Sequence, residues 1–109
     1  MKKGDVILIP FPFTNLSGEK LRPALVLHVS FSDVTVAFIT TQLGFREPIN
    51  ILIKPDPENG LRLDSVIILH KLATIAKELI EGRLGSISDD VLREVDQKLI
   101  TIFKINVNP

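Results

Sequence analysis

The chain has 109 residues, no cysteine and no tryptophan, and its thirteen lysines and arginines are balanced by thirteen aspartates and glutamates. That length supports one domain able to bury roughly two-thirds of its unfolded surface. The zero net charge excludes a protein that coats nucleic acid by bulk electrostatics, and the missing cysteines exclude disulfides and thiolate metal sites.

Charge is nevertheless uneven. Residues 1–54 carry six Lys or Arg against four Asp or Glu, and residues 55–109 carry seven against nine, so any anion site is expected as a local basic groove. No zinc site is expected from two histidines far apart in sequence. The MKKGDV start leads into a strand-like run with Pro10 and Pro12 and no small-residue cleavage site, so neither a signal peptide nor a membrane span is expected. The expectation is a cytoplasmic protein, and high hydrophobicity without net charge favours a homodimer.

Val6 to Phe13 is almost wholly apolar, the pattern of a strand covered on both faces. Its prolines donate no amide hydrogen, so its second half is expected at an edge or bulge. Thr14 to Leu21 reads as a loop, Ala24 to Val29 as a second strand interrupted by His28, and Ser30 to Asp33 as a turn. Val34 to Thr41 has strong β propensity and closes a hairpin. Gln42 to Pro48 reads as a loop, Ile49 to Lys54 as a half-exposed strand, Pro55 to Gly60 as a turn, and Ser65 to Leu69 as a buried strand. His70 to Glu81 mixes helix formers with Thr74, Ile75 and Ile80, and admits either a helix or a short turn of one. Leu84 to Ile87 reads as a short strand.

From Ser88 the period becomes helical. Ser88 is the expected N-cap, with Asp89 and Asp90 in the first turn. Val91, Leu92, Val95, Leu99, Ile102 and Phe103 form one apolar face, and the tail after Lys104 is expected to fray. Six or seven short strands and a terminal amphipathic helix predict a mainly β fold with some α: a small barrel-like structure with the helix packed on it.

The stretch Phe11 to Val26 carries the chemistry. Pro23 restricts Arg22 to extended backbone angles, and the loop before it supplies Asn15, Ser17, Gly18 and Lys20. A guanidinium on rigid structure facing a polar loop suits phosphate; the alternative is a surface arginine paired with Glu19 or Asp5. The hairpin sets Arg22 opposite Thr40 and Thr41, a cation beside hydroxyls. Ser, His and Asp occur, but without a nucleophile elbow or an acidic neighbour for either histidine. His28 is expected to be a core or interface residue and His70 to end a strand. There is no glycine-rich phosphate loop, and Asp56, Glu58 and Asp64 read as a solvated turn. The remaining set of Arg22, Thr40, Thr41, Gln42 and the Asn15 to Lys20 loop can bind and polarise a phosphodiester. RNA brings its own nucleophile in the 2′-hydroxyl, so stabilising and orienting the anion are the main requirements.

These residues resemble a known family. GDVILIPFPFTNLSGEKLRPALVL is similar to the N-terminal signature of the MazF/PemK toxins: a Gly-Asp start, a strand, a variable loop, then Arg-Pro and another apolar strand. VAFITTQ resembles their Ile-Thr-x-Gln strand end, and DSVIIL, the Thr74-Ile75 pair and the terminal helix follow in the family's order. The similarity spans about residues 3 to 104. It implies a single toxin domain over residues 1–109 with an SH3-like β-barrel of the CcdB/PemK-like kind, and a homodimer. It also implies a type II toxin–antitoxin endoribonuclease that cleaves single-stranded RNA at a short sequence, without metal or other cofactor. Such cleavage leaves a 2′,3′-cyclic phosphate and a 5′-hydroxyl.

By matching motif, the family's catalytic arginine falls on Arg22 and its catalytic threonine on Thr40. Asn15, Ser17, Lys20, Thr41, Gln42, His70 and Lys71 become candidate RNA contacts, and a cognate antitoxin is expected over the same groove. The chain has His70, Lys71 and Ala73 where many members have an acidic residue, a glutamine and a basic residue, so the cleavage motif does not transfer. Two other functions fit such a fold. A CcdB-like gyrase-binding toxin depends on a tryptophan-containing tail that this chain lacks, and a non-catalytic SH3-like module would give Arg22 a structural role only.

Overall fold

Neighbouring residues of a strand point to opposite sides of its sheet, and in the central strands here both sides are buried. Val6 and Ile7 on β1 (Asp5–Phe11), Leu25 and Val26 on β2 (Lys20–Val29), and Val36 and Ala37 on β3 (Asp33–Thr40) are adjacent pairs with at most 1% exposure. One residue of each pair joins a layer with Ile39, Ile67 and Leu69, under the helix; the other joins a second layer with Ile9, Val34 and Ile75. The structure, a computed structural model, describes residues 1–11 and 20–108.

β4 (Ile51–Ile53), β5 (Ser65–Ala76) and β6 (Gly82–Ser86) complete one antiparallel sheet of described strands in the order β4-β5-β3-β2-β1-β6. Curled into a half-barrel, it carries α1 (Asp89–Phe103). The mainly β architecture with a terminal helix is therefore as expected.

Several element boundaries differ from those expected. β2 starts at Lys20, so Arg22 lies inside a paired strand, with Ile9 opposite it on β1. The second half of β1 is one-sided, as its prolines suggest: β6 pairs only as far as Leu8, whereas Pro10 faces Leu21. The largest departure is β5, whose 12 residues run to Ala76 and leave only a 3₁₀ turn, Lys77–Leu79. Thr74 and Ile75 pair with Thr35 and Val34 of β3. This cross-strand packing outweighs the local helix preference.

β5 also departs from regular pairing. Ala37 faces Leu72, but the next residue, Phe38, faces Ile68, so Leu69, His70 and Lys71 stand out as a bulge. His70 is thus mid-strand. His28, expected in the core or at an interface, is not in the core: it is exposed, because a register shift after Val26 sets it beside Thr35. The Thr35 and Thr74 hydroxyls are 2.8 Å apart in the next pair along that polar row.

Ser88 caps α1, its Oγ accepting the Val91 N–H at 3.3 Å, with Asp89 and Asp90 in the first turn. Val95 is fully buried, and Val91, Leu92, Leu99 and Ile102 pack on the first core layer. Phe103, assigned to that face by spacing, is 56% exposed. Lys104 ends the helix with a left-handed φ of 53°, and Ile105 makes one more bond, to the Ile100 carbonyl at 3.0 Å. The following residues through Asn108 are exposed.

Candidate active site

The β2–β3 register determines what stands beside Arg22. Ala24 faces Phe38 and Leu25 faces Ala37, so continuing the antiparallel count outward brings Arg22 level with Thr40. Both side chains line a cleft of about 230 Å³. Ile9, Phe11, Pro23, Phe38 and Ile39 form much of its apolar wall, completed by Phe45 and Ile68. The Phe11 and Phe38 rings meet edge to face, with centroids 5.5 Å apart and planes at 73°. Gln42 and Lys71 are the other polar lining residues among the described residues, and no described lining residue is a carboxylate.

Arg22 is exposed, and its guanidinium has no hydrogen-bond or ion-pair partner among the described residues. The expected alternative pairing with Asp5 does not occur: Asp5 is bound by Lys2 Nζ at 3.2 Å and Arg83 Nε at 3.4 Å. Glu19 lies outside the described residues. Thr40 Oγ1 accepts the Gln42 N–H at 3.1 Å, which leaves its own O–H to donate to a ligand. Lys71 Nζ sits 4.8 Å from the centroid of the Phe45 ring, close enough for a cation–π contact. Two cations and a hydroxyl donor on an apolar wall with no carboxylate among its described residues can hold an anion between surfaces suited to planar groups.

The model of PemK-like, MazF-like toxins of type II toxin–antitoxin systems matches residues 2–103. The chain belongs to this family. Solved MazF structures share its fold. A MazE–MazF complex from Deinococcus radiodurans aligns with a TM-score of 0.77 at 19% identity, covering 97% of each chain. The Mycobacterium tuberculosis toxin MazF-mt6 aligns at 0.74 and 19% identity over 94% of this chain and 98% of that one. A mycobacterial endoribonuclease in complex with its cognate antitoxin aligns at 0.72 and 17% identity, over 99% and 97% respectively. MazF-type toxins are endoribonucleases.

Within this MazF-like chain, the structure gathers Arg22, Thr40, Gln42 and Lys71 around one cleft. Lys20, Thr41 and His70 are exposed but are not among its lining residues. Asn15 and Ser17, expected as RNA contacts, lie outside the described residues. Sequence reasoning missed Phe45 and the apolar wall; an aromatic inside the polar loop QLGFREP was the available signal. Among the described residues no group of His, Asp or Glu could hold a metal ion, and no helix is long and apolar enough to cross a membrane.

Proposed function

We propose that this MazF-type toxin cleaves single-stranded RNA at a short sequence in the Arg22–Thr40 cleft, without metal, through the RNA's own 2′-hydroxyl. The observation carrying this reading is the Arg22 guanidinium, without a partner among the described residues, level with the Thr40 hydroxyl on a cleft whose described lining holds no carboxylate. The 2′-oxygen attacks the adjacent phosphorus and the bond to the 5′-oxygen breaks, giving a 2′,3′-cyclic phosphate and a 5′-hydroxyl. Arg22 binds the non-bridging oxygens as negative charge builds on them, and Thr40 donates one more hydrogen bond. Arg22 gives a proton to the leaving 5′-oxygen while taking the one released by the 2′-oxygen, so the guanidinium is never left neutral.

The apolar wall and the Phe45 ring offer stacking surfaces for bases on either side of the phosphate. Gln42 and Lys71 supply polar contacts, and Lys20, Thr41, His70, Asn15 and Ser17 are further RNA contacts. His70, Lys71 and Ala73 give this toxin its own sequence preference. A cognate antitoxin covers the cleft with an acidic or amphipathic segment, a partnership supported by the antitoxin complexes of the structural neighbours. The working form is a homodimer.

The test incubates the protein in excess EDTA with a long single-stranded RNA and maps the new ends beside an Arg22→Ala control. Cuts at one short motif with cyclic-phosphate ends, absent in the control, are expected. A folded protein that makes no cuts would favour a non-catalytic binding module.

A further inference from the structure

Asn50 does not line the cleft, yet both polar atoms of its side chain are committed to the segments that do. It is 4% exposed. Its backbone N–H donates to the Glu47 carbonyl at 2.9 Å. Its backbone carbonyl accepts from Lys98 Nζ at 3.0 Å, and the same ammonium reaches the Pro48 carbonyl at 2.6 Å. In the side chain, Nδ2 donates to the Phe45 carbonyl at 2.9 Å. Oδ1 accepts the buried Leu69 N–H at 2.8 Å, with His70 Nδ1 3.3 Å away.

Leu69 and His70 belong to the bulge that carries Lys71, and Phe45 is the ring beneath the Lys71 ammonium. The β4–β5 ladder ends at the Ile51–Ile67 pair, and the Asn50 carboxamide extends that connection to the loop. One planar group therefore holds the loop wall and the bulge wall at a fixed separation. Losing either of its bonds would strand a buried polar group.

We infer that Asn50 is a positioning residue for base recognition: it fixes how the Phe45 ring and the Lys71 ammonium in contact with it are presented to an unpaired nucleobase next to the scissile phosphate. This rests on the ribonuclease function proposed above. Phe45 brings an aromatic ring to the cleft lining, and the Lys71 ammonium that rests against it can donate to a carbonyl or ring-nitrogen acceptor on the base. Arg22 and Thr40 stand on β2 and β3, so a shift of the Phe45 wall alters which base fits without displacing the reacting phosphate.

Asn50→Asp keeps the size and the acceptor for Leu69 but faces the Phe45 carbonyl with an anionic oxygen. Lys98→Met removes the tether from α1 and leaves the cleft itself untouched. Both are compared with wild type by kcat and KM on single-stranded RNA oligonucleotides carrying the mapped motif, and on versions with each flanking base changed. Asn50→Asp is expected to raise KM about tenfold with kcat within about threefold of wild type, and to narrow discrimination between matched and mismatched oligonucleotides about tenfold. Lys98→Met shifts both in the same direction by less.

Folded variants with wild-type KM and base preference, or with kcat alone reduced, would overturn the inference. If Asn50→Asp fails to fold, Lys98→Met decides by the same criteria. A wild type making no Arg22-dependent cuts removes the ribonuclease function and this inference with it; an active wild type with unaltered variants removes only the inference.

Discussion

Pro23 holds the backbone before it extended, and pairing with Ile9 fixes it again from β1, so Arg22 is aimed from rigid structure at little entropic cost on binding. Because the side chain is exposed and has no partner among the described residues, its replacement should affect catalysis and leave stability alone. Arg22→Lys keeps a charge but not the planar fork. We expect cleavage to fall about 10²-fold, with the melting temperature unchanged. Thr40→Val should lose about tenfold or more through the missing donor, and Thr40→Ser should retain most activity; single-turnover rates check both.

Asp5 makes a separate prediction. Burial alone pushes its carboxyl up, but the Lys2 backbone N–H, the Arg83 guanidinium and the Lys2 ammonium together hold it below the ordinary value of 3.8. A depressed folded-state pKa contributes stability that is fully present above the unfolded value and lost as pH falls through the folded one. Asp5→Asn should therefore cost roughly 1–2 kcal/mol at pH 7, and the gap from wild type should close only as urea melts are taken below about pH 3.8. At this scale Arg22 and Thr40 were legible because a tight hairpin juxtaposes its strand ends. Phe45 and Asn50 were not, since a loop's side-chain directions depend on contacts distant in sequence.

Helix α1 was legible almost throughout, because cap chemistry and a 3.6-residue period are local signals. Its last turn was only partly so: Phe103 keeps the apolar spacing but is 56% exposed, whereas Ile102 packs on the core. Lys104 holds a left-handed φ of 53°, a conformation that favours glycine. Lys104→Gly should raise stability by about 0.5–1 kcal/mol, read as a shift in denaturant midpoint with unchanged m-value. Strand β5 shows the opposite limit of legibility. Its second half contains helix formers, and only pairing with β3 makes it extended. The bulge within it, which brings Lys71 over the cleft, arises from a mismatch between two strands and has no signature in either alone.

For the whole molecule, two core layers on one curled sheet were foreshadowed by apolar runs without alternation, and the strand-then-helix order set the architecture. On the proposed function, the balanced charge limits how RNA is held. A chain with thirteen basic and thirteen acidic residues gains little from the general attraction of a polyanion, so the proposed function assigns selectivity to the cleft, where Arg22 and Lys71 stand and no described lining residue is a carboxylate. Random single-stranded RNA should bind weakly at physiological salt, with a shallow salt dependence reflecting few phosphate contacts; a steep dependence would require a larger basic surface than the cleft provides. The most direct test of the central claim replaces one atom of the substrate. An oligonucleotide carrying the cleavage motif is made with a single 2′-deoxy sugar on the 5′ side of the cut and incubated with the protein in EDTA beside its all-ribose counterpart. The all-ribose strand should be cut to a cyclic phosphate and the substituted strand should remain intact while still competing for the cleft. Cleavage of the substituted strand at the same bond would contradict attack by the 2′-hydroxyl.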